Sequence, residues 1–320
     1  MSFPRLLGDI GGTNARFARQ LAPGGPIQDV AVYPGADHPS LQDAMLRYVA
    51  DHGFEMPRWC AIGIANPVVG DRVQMTNHTW SFSIAGMREA LGLERFLVIN
   101  DFTALALALP ALEAQDKHQL GGGQAVAGAP LALLGPGTGL GVSGLLPGPG
   151  GRGWVPVVGE GGHVTLAAGS DEEAAVIGAL QRRFGHASAE RALSGPGLEN
   201  LYLAVAEVRG AAAQPLSAQA VTQAALDGSD ALCRAAVEMF SALLGGVAGN
   251  LALTLGALGG VYVGGGIVPR LGRLFDDSAF RARFEAKGRF CGYLEAIPVY
   301  VVQAKTSPAL LGASRALDEM

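Results

Sequence analysis

Asparagine followed by aspartate, Asn100-Asp101, closes the apolar run Phe96-Leu97-Val98-Ile99, and no other pair in the chain is better placed to move a proton. A carboxylate at the tip of a buried strand can accept a hydroxyl proton while a phosphoryl group is held in line with that oxygen. The amide beside it can orient a neutral polyol. In an open α/β sheet, ligands collect beyond the carboxyl ends of the strands, which is where this pair would emerge. The plainer alternative is that Asn100 and Asp101 only cap a helix starting near Thr103, and spacing alone does not separate the two.

Two glycine turns share one punctuation: Gly8-Asp9-Ile10-Gly11-Gly12-Thr13 and Gly135-Pro136-Gly137-Thr138-Gly139. Glycine lets backbone N–H groups approach an anionic oxygen that a Cβ would hold off, and the threonine adds a hydroxyl. Two such turns can grip one polyphosphate from both sides, which predicts a nucleotide held in a cleft between two halves of the chain. Asp9 would repel phosphates unless a divalent cation lay between, so a role in organising hydrated Mg²⁺ is expected of it. Aspartate also favours turns for its own side-chain hydrogen bonds. A third turn, Gly264-Gly265-Gly266 after Val261-Tyr262-Val263, would admit a flat ligand such as adenine; a tight strand-to-helix turn would explain it equally without one.

Gly159-Glu160-Gly161-Gly162-His163 sets an acid and an imidazole three residues apart on a glycine background. Such groups suit a sugar, because a carboxylate accepts hydroxyl hydrogens and a histidine can donate one; a glycine-rich turn with solvated ends is the structural alternative. One histidine and one acid do not complete a metal ligand set. Glu190, taken alone, reads as a surface helix residue in an ion pair, and only its company gives it functional weight.

Other chemistries find no footing. None of the three lysines, Lys117, Lys287 and Lys305, stands in a G-K-[ST] phosphate loop. The formal G-x-G-x-x-G at Gly139, Gly141 and Gly144 runs on into Leu145-Leu146-Pro147 instead of opening a helix. No nucleophile elbow and no H-E-x-x-H occurs. The net charge is 23 − 28 = −5 without long single-sign runs, which argues against nucleic acid or a membrane surface as partner. Cys60, Cys233 and Cys291 are odd in number and far apart, as in a reduced cytoplasmic protein. No signal peptide is expected. Residues 239–269 carry no charge, but nine of them are glycine and Gly259-Gly260 divides the stretch, so a buried helix feeding a strand is expected there rather than a membrane span.

The elements that must position these residues follow from periodicity. Strands are expected over Arg5–Ile10, Arg16–Arg19, Asp29–Tyr33 and Cys60–Ala65, and the Phe96–Ile99 run reads as a central parallel strand. Leu41, Ala44, Met45, Tyr48 and Val49 repeat at helical spacing up to Gly53, and Ser83 can cap a helix reaching Leu91. The second half restates the first: a hairpin of Leu131–Leu134 and Val142–Leu146, a long helix, the Val261 strand, a helix, the strand Val299–Val302 and a terminal helix from Pro308. An insertion of about residues 160–228 contains a helix opened by a capping box, Ser170 with Glu173. Leu198, Leu201, Tyr202 and Val205 mark another helix within it.

Seven stretches, GDIGGTNAR (8–16), MTNHTW (75–80), INDFTA (99–104), GPGTGLG (135–141), GEGGH (159–163), LSGPG (193–197) and GGGIVPR (264–270), together resemble the bacterial glucokinase family nearly end to end. That resemblance implies an α/β, two-domain ribonuclease H-like ATPase fold of the actin and hexokinase type, with a cleft between domains. It implies a small domain of residues 1–110 plus 301–320 and a large one of 111–300 carrying the helical insertion. By the same matching, ATP with Mg²⁺ phosphorylates the 6-hydroxyl of D-glucose, with Asp101 as base and Asn100, Glu160, His163 and Glu190 on the sugar. Gly8 to Thr13 and Gly135 to Thr138 would hold phosphates, and Gly264 to Gly266 the adenosine; a cytoplasmic homodimer is implied. The cysteine-rich zinc motif of the related repressor and kinase group, C-x-C-G-x-x-G-C, is absent, which favours the glucokinase branch. A kinase for another hexose, or an actin-like or heat-shock-like ATPase, are the competing readings. A sugar-responsive repressor would need a DNA-binding helix pair before Gly8, and seven residues precede it, so none is expected.

Overall fold

The computed structural model describes residues 2–76, 78–304 and 307–319; Asn77 of the MTNHTW stretch and Lys305 lie outside them. Strand β1 (Arg5–Ile10) turns at Gly11-Gly12-Thr13 into β2 (Asn14–Gln20), and β3 (Ile27–Pro34) continues the antiparallel set. Helix α1 (Leu41–Asp51) is started by the Ser40 hydroxyl, which accepts the Asp43 N–H at 3.1 Å, and buries Leu41, Ala44, Met45 and Tyr48 along one face. Next come β4 (Trp59–Ile64), a ribbon of β5 (Arg72–Gln74) with β6 (Ser81–Ser83), and α2 (Ile84–Ala90), capped by Ser83 as expected. Strand β7 (Arg95–Asn100) then runs straight into α3 (Asp101–Ala108).

Strands β8 (Lys117–Leu120), β9 (Leu131–Pro136), β10 (Leu140–Pro147) and β11 (Trp154–Val157) follow. A helical stretch succeeds them: α4 (Asp171–Phe184), α5 (Ala189–Ala192), α6 (Gly195–Val208), α7 (Ala218–Asp227) and α8 (Ala231–Leu255). After β12 (Val261–Val263) come α9 (Ile267–Leu271), α10 (Arg273–Asp276), α11 (Phe280–Glu285) and α12 (Cys291–Glu295), then β13 (Val299–Val302) and α13 (Pro308–Glu319). Four short helices thus stand where the sequence pattern gives one between the last two strands.

Two compact units result, Met1–Glu113 with Gly148–Val157 and Ala304–Met320, and Ala114–Pro147 with Val158–Gln303. In the first, the strand order is β3-β2-β1-β4-β7, antiparallel through β1 and parallel from β1 to β7. One face packs on α1 and α2 through Leu6, Phe17, Met45, Ile62 and Val98; the other meets α13 through Leu7, Ala61, Leu310 and Leu317. Strand β7 is parallel as expected but outermost, not central: its unbroken apolarity reflects helices covering both of its faces.

Helix α13 is locked to β1 by Arg5, whose fully buried guanidinium donates to the Ser314 carbonyl and to Asp318 at 3.1 Å each and makes a second bond to Asp318. The same helix lies along α3, with Gly312 against the Ala104 carbonyl.

In the second unit, β10-β9-β12-β13-β8 repeats the theme, an antiparallel hairpin beside parallel strands. Strand β8 escapes the sequence pattern because Lys117, His118 and Gln119 are polar; it edges the sheet against β13. Among the described residues α8 alone has the length and apolarity to cross a membrane, yet it forms the middle of the unit's core, burying Phe240, Leu244, Ala248 and Ala252. Gly245 and Gly249 let the backbone of α11 lie against it, at Phe280 and Phe284. The capping box of α4 forms with a variation: Glu173 Oε2 accepts the Gly169 N–H at 2.6 Å and pairs with Arg283 at 2.8 Å.

Candidate active site

In the first unit the polar ends of three adjacent strands come together. Register places Asp9 opposite Arg16 on β2 and opposite Gly63 on β4, and Gly63 opposite Ile99 on β7. Asp9 and the Asn100-Asp101 pair therefore flank a residue with no side chain. Asp9 Oδ2 accepts from Arg16 Nη1 at 2.6 Å and from Ser307 Oγ at 2.7 Å. Gly8 and Ile10 lie within the sheet, opposite Phe17 and Ala15, so the part of the first glycine turn open to solvent is Gly11-Gly12-Thr13.

The capping alternative is realised at Asn100, and the helix it starts begins at Asp101, two residues ahead of Thr103. Asn100 Oδ1 caps α3, accepting the Phe102 and Thr103 N–H groups at 2.9 and 3.2 Å, while its Nδ2 donates to Asp101 Oδ1 at 3.0 Å. Asp101 Oδ1 also accepts the Phe102 N–H at 2.9 Å. Burial, then the charge of Asp9, push the Asp101 carboxyl up to about 6; the Phe102 and Asp101 N–H groups and Asn100 oppose that shift. A carboxylate that titrates near 6 is ionised at neutral pH yet basic enough to take a proton from an alcohol as its oxygen bonds elsewhere.

The second unit supplies a complementary set. Its glycine turn joins β9 to β10 and closes with the Gly137 N–H on the Gly139 carbonyl at 2.8 Å; the Gly137 carbonyl accepts the Gly195 N–H at 2.8 Å, which pins the turn to the start of α6. Gly264 continues the β12–β9 ladder by donating to the Leu134 carbonyl at 2.8 Å. Gly265 follows at φ +78° with its Cα against Pro136, where any Cβ would strike the Pro136 carbonyl. The two turns thus stack edge to edge.

They open on a cavity of about 990 Å³ lined by Gly137, Thr138, Gly195, Gly266 and Arg270 on one side and by Gln219, Thr222 and Gln223 of α7 on another. Gly135, at the end of β9, and Gly264 are buried, so Gly137, Thr138 and Gly266 are the expected residues that meet this space. The α7 wall escapes sequence reasoning, because glutamine and threonine on one helical face look like any solvated surface. Gly195 and Arg270, by contrast, belong to stretches already singled out.

Glu160 and His163 are exposed at the two ends of one 3₁₀ turn, with the His163 N–H on the Glu160 carbonyl at 3.0 Å. Among the described residues Glu190 has no ion-pair partner and is not fully solvated: it is partly buried on α5, and its Oε2 accepts the Leu140 N–H at 2.8 Å, directly after the glycine turn. Asn100 and Asp101 belong to the first unit, and Glu160, His163 and Glu190 to the second. Among the described residues no group of three histidines, cysteines or acids could hold a metal ion.

The family model described as Glucokinase matches residues 6–320. The chain is 55% identical over 318 residues to a glucokinase of Aromatoleum aromaticum, covering 99% of this chain and 95% of that one. To a glucokinase of Chromobacterium violaceum it is 52% identical, covering 99% and 90%. Among solved structures, a glucokinase from an Antarctic psychrotroph superposes with a TM-score of 0.91 at 36% identity, over 99% of both chains. With an α/β architecture of repeated hairpin-and-parallel-strand units and a match running from Leu6 through the last helix, the chain belongs to the glucokinase family.

Proposed function

We propose that this chain transfers the terminal phosphoryl group of ATP to the 6-hydroxyl of D-glucose, with Asp101 as the general base. The observation that carries the reading is Asp101 itself: a carboxyl at a strand end, raised to about 6, held by the N–H groups of its own helix and by the Asn100 amide beside it. As the sugar oxygen attacks, Asp101 takes its proton. Asn100, Glu160, His163 and Glu190 orient the sugar hydroxyls, and the turns around Gly11-Gly12-Thr13 and Gly137-Thr138 set the phosphates by backbone N–H groups. Adenosine lies against the Gly264 to Gly266 turn, at Gly266, in the cavity walled by α7.

Magnesium reaches kinase sites bound largely by the nucleotide's own phosphates, with one or two carboxylates and several waters. Asp9 suits that pattern through water, since Arg16 and Ser307 both engage Oδ2 and fix the carboxylate at the mouth of the turn. The ion would neutralise charge on the transferring phosphoryl group. On the same reading the enzyme works in the cytoplasm as a homodimer.

ADP release measured with glucose, mannose, galactose and N-acetylated amino sugars tests the reading. Turnover that requires a hexose and is fastest with glucose is expected; ATP hydrolysis indifferent to sugar would point to a heat-shock-like ATPase instead. Within the sugar set, Glu160→Gln replaces a charge-assisted acceptor by a neutral one. Bonds to charged groups are worth about 1.5–3 kcal/mol, so KM for glucose should rise about tenfold or more with a smaller change in kcat. An unaltered KM would remove Glu160 from the site.

A further inference from the structure

We infer that Glu190 and Gly139 form a latch that makes sugar binding and nucleotide binding cooperative, an inference resting on the glucokinase reading above. The Glu190 carboxylate divides its work. Oε2 accepts the Leu140 N–H at 2.8 Å, fixing the backbone where the phosphate turn becomes β10, while among the described residues Oε1 makes no hydrogen bond and stays available to a sugar hydroxyl. The turn on the other side of that amide is held by Gly137, whose carbonyl takes the Gly195 N–H. Ser194, the residue before Gly195, donates its hydroxyl to the Glu190 carbonyl at 2.8 Å. One short circuit therefore runs from Glu190 to Leu140, back through Gly139 to Gly137, across to Gly195, and home through Ser194.

Residue 139 has a reason to be glycine within this circuit. A Cβ there would meet the Glu190 carboxylate and nothing else: Oε2 closest, Cδ at 3.3 Å and Oε1 at 4.0 Å. The backbone around it is otherwise open, so glycine is needed to seat the carboxylate, not to permit the turn. A sugar hydroxyl donating to Oε1 selects the rotamer in which Oε2 sits on Leu140, and an ordered Leu140 amide preserves the turn that receives phosphates. By reciprocity, a nucleotide that orders the turn presents Oε1 to the sugar. Glu190 acts here as a positioning residue.

The test is the affinity of a non-hydrolysable ATP analogue, measured by calorimetry with and without saturating glucose. In the parent, glucose should tighten the analogue about fivefold or more, within the range usual for coupled sites. Gly139→Ala displaces only the flexible tip of Glu190, so the fold survives; each ligand should still bind alone, but the coupling factor should fall toward one. Glu190→Asp, which withdraws the carboxylate by one methylene while keeping its charge, should weaken glucose itself and also lower the coupling factor, and that factor is the readout if the alanine variant is unstable. A Gly139→Ala protein with the parent's coupling factor would overturn the latch, as would a parent that binds both ligands independently. A parent that binds no glucose at all would instead bring down the proposed function, and the latch with it.

Discussion

Replacing Asp101 by asparagine is expected to cut glucose-dependent turnover by about 10²- to 10⁴-fold, the usual contribution of a general base, with the KM for glucose nearly unchanged. Asparagine preserves the shape, and its Oδ1 can still accept the Phe102 N–H that Asp101 accepts at 2.9 Å. What it loses is the capacity to take a proton. In the parent, turnover should fall as pH drops through about 6, because the carboxyl protonates there and only its ionised form is a base. The residual activity of the variant should lack that limb.

Stability runs the other way. A carboxyl whose pKa is raised on folding favours the folded state fully below its unfolded value near 4, and that contribution is lost as pH climbs through about 6. The neutral variant carries no such cost, so it should unfold no more easily than the parent at pH 8. Comparable turnover in variant and parent, or an acid limb that persists in the variant, would strip Asp101 of its role.

Gly312→Ala should produce the largest loss of stability of any single-methyl change in the first unit. A Cβ at that position would lie 1.6 Å from the Ala104 carbonyl oxygen and 2.5 Å from its carbon, so the clash is with backbone and no side chain can swing aside. Alanine gains about 1 kcal/mol over glycine as a helix former, but forcing two packed helices apart costs typically 1–3 kcal/mol and more where nothing can relax, so the clash wins. We expect a net loss of about 2 kcal/mol and a melting transition lower by about 5 °C. Because α3 begins with Asp101, the shift of α3 should also depress kcat. A melting temperature equal to the parent's would show that α13 does not rest on α3 as described.

Much of this arrangement is legible in the sequence because local chemistry sets it. Ser83 and Ser170 cap the helices their spacing announces, and the run 5–10 forms its strand to the residue. The glycine turns and the Asn100-Asp101 pair sit at strand ends for the same reason: a buried strand must surrender polar residues where it leaves the sheet. What stays hidden depends on partners distant in sequence. Leu140 lies 50 residues from Glu190, so the acid reads as a surface residue until the fold brings the amide to it. Likewise, Phe96 to Ile99 reads as central because apolarity records the helices above and below a strand and is silent about its edge. The cavity wall of Gln219, Thr222 and Gln223 is invisible for a related reason, since residues that border a cavity need no unusual composition.

The bond between Arg5 and Asp318 has a bearing on how the protein is born. A ribosome releases Arg5 long before Asp318, which stands 313 positions later, so the opening strand must wait through almost the whole of synthesis for the helix that seals it. The second unit's sequence is all delivered before that helix emerges. Newly made molecules should therefore complete the first unit last, and a chain released early would keep its opening strand unsealed.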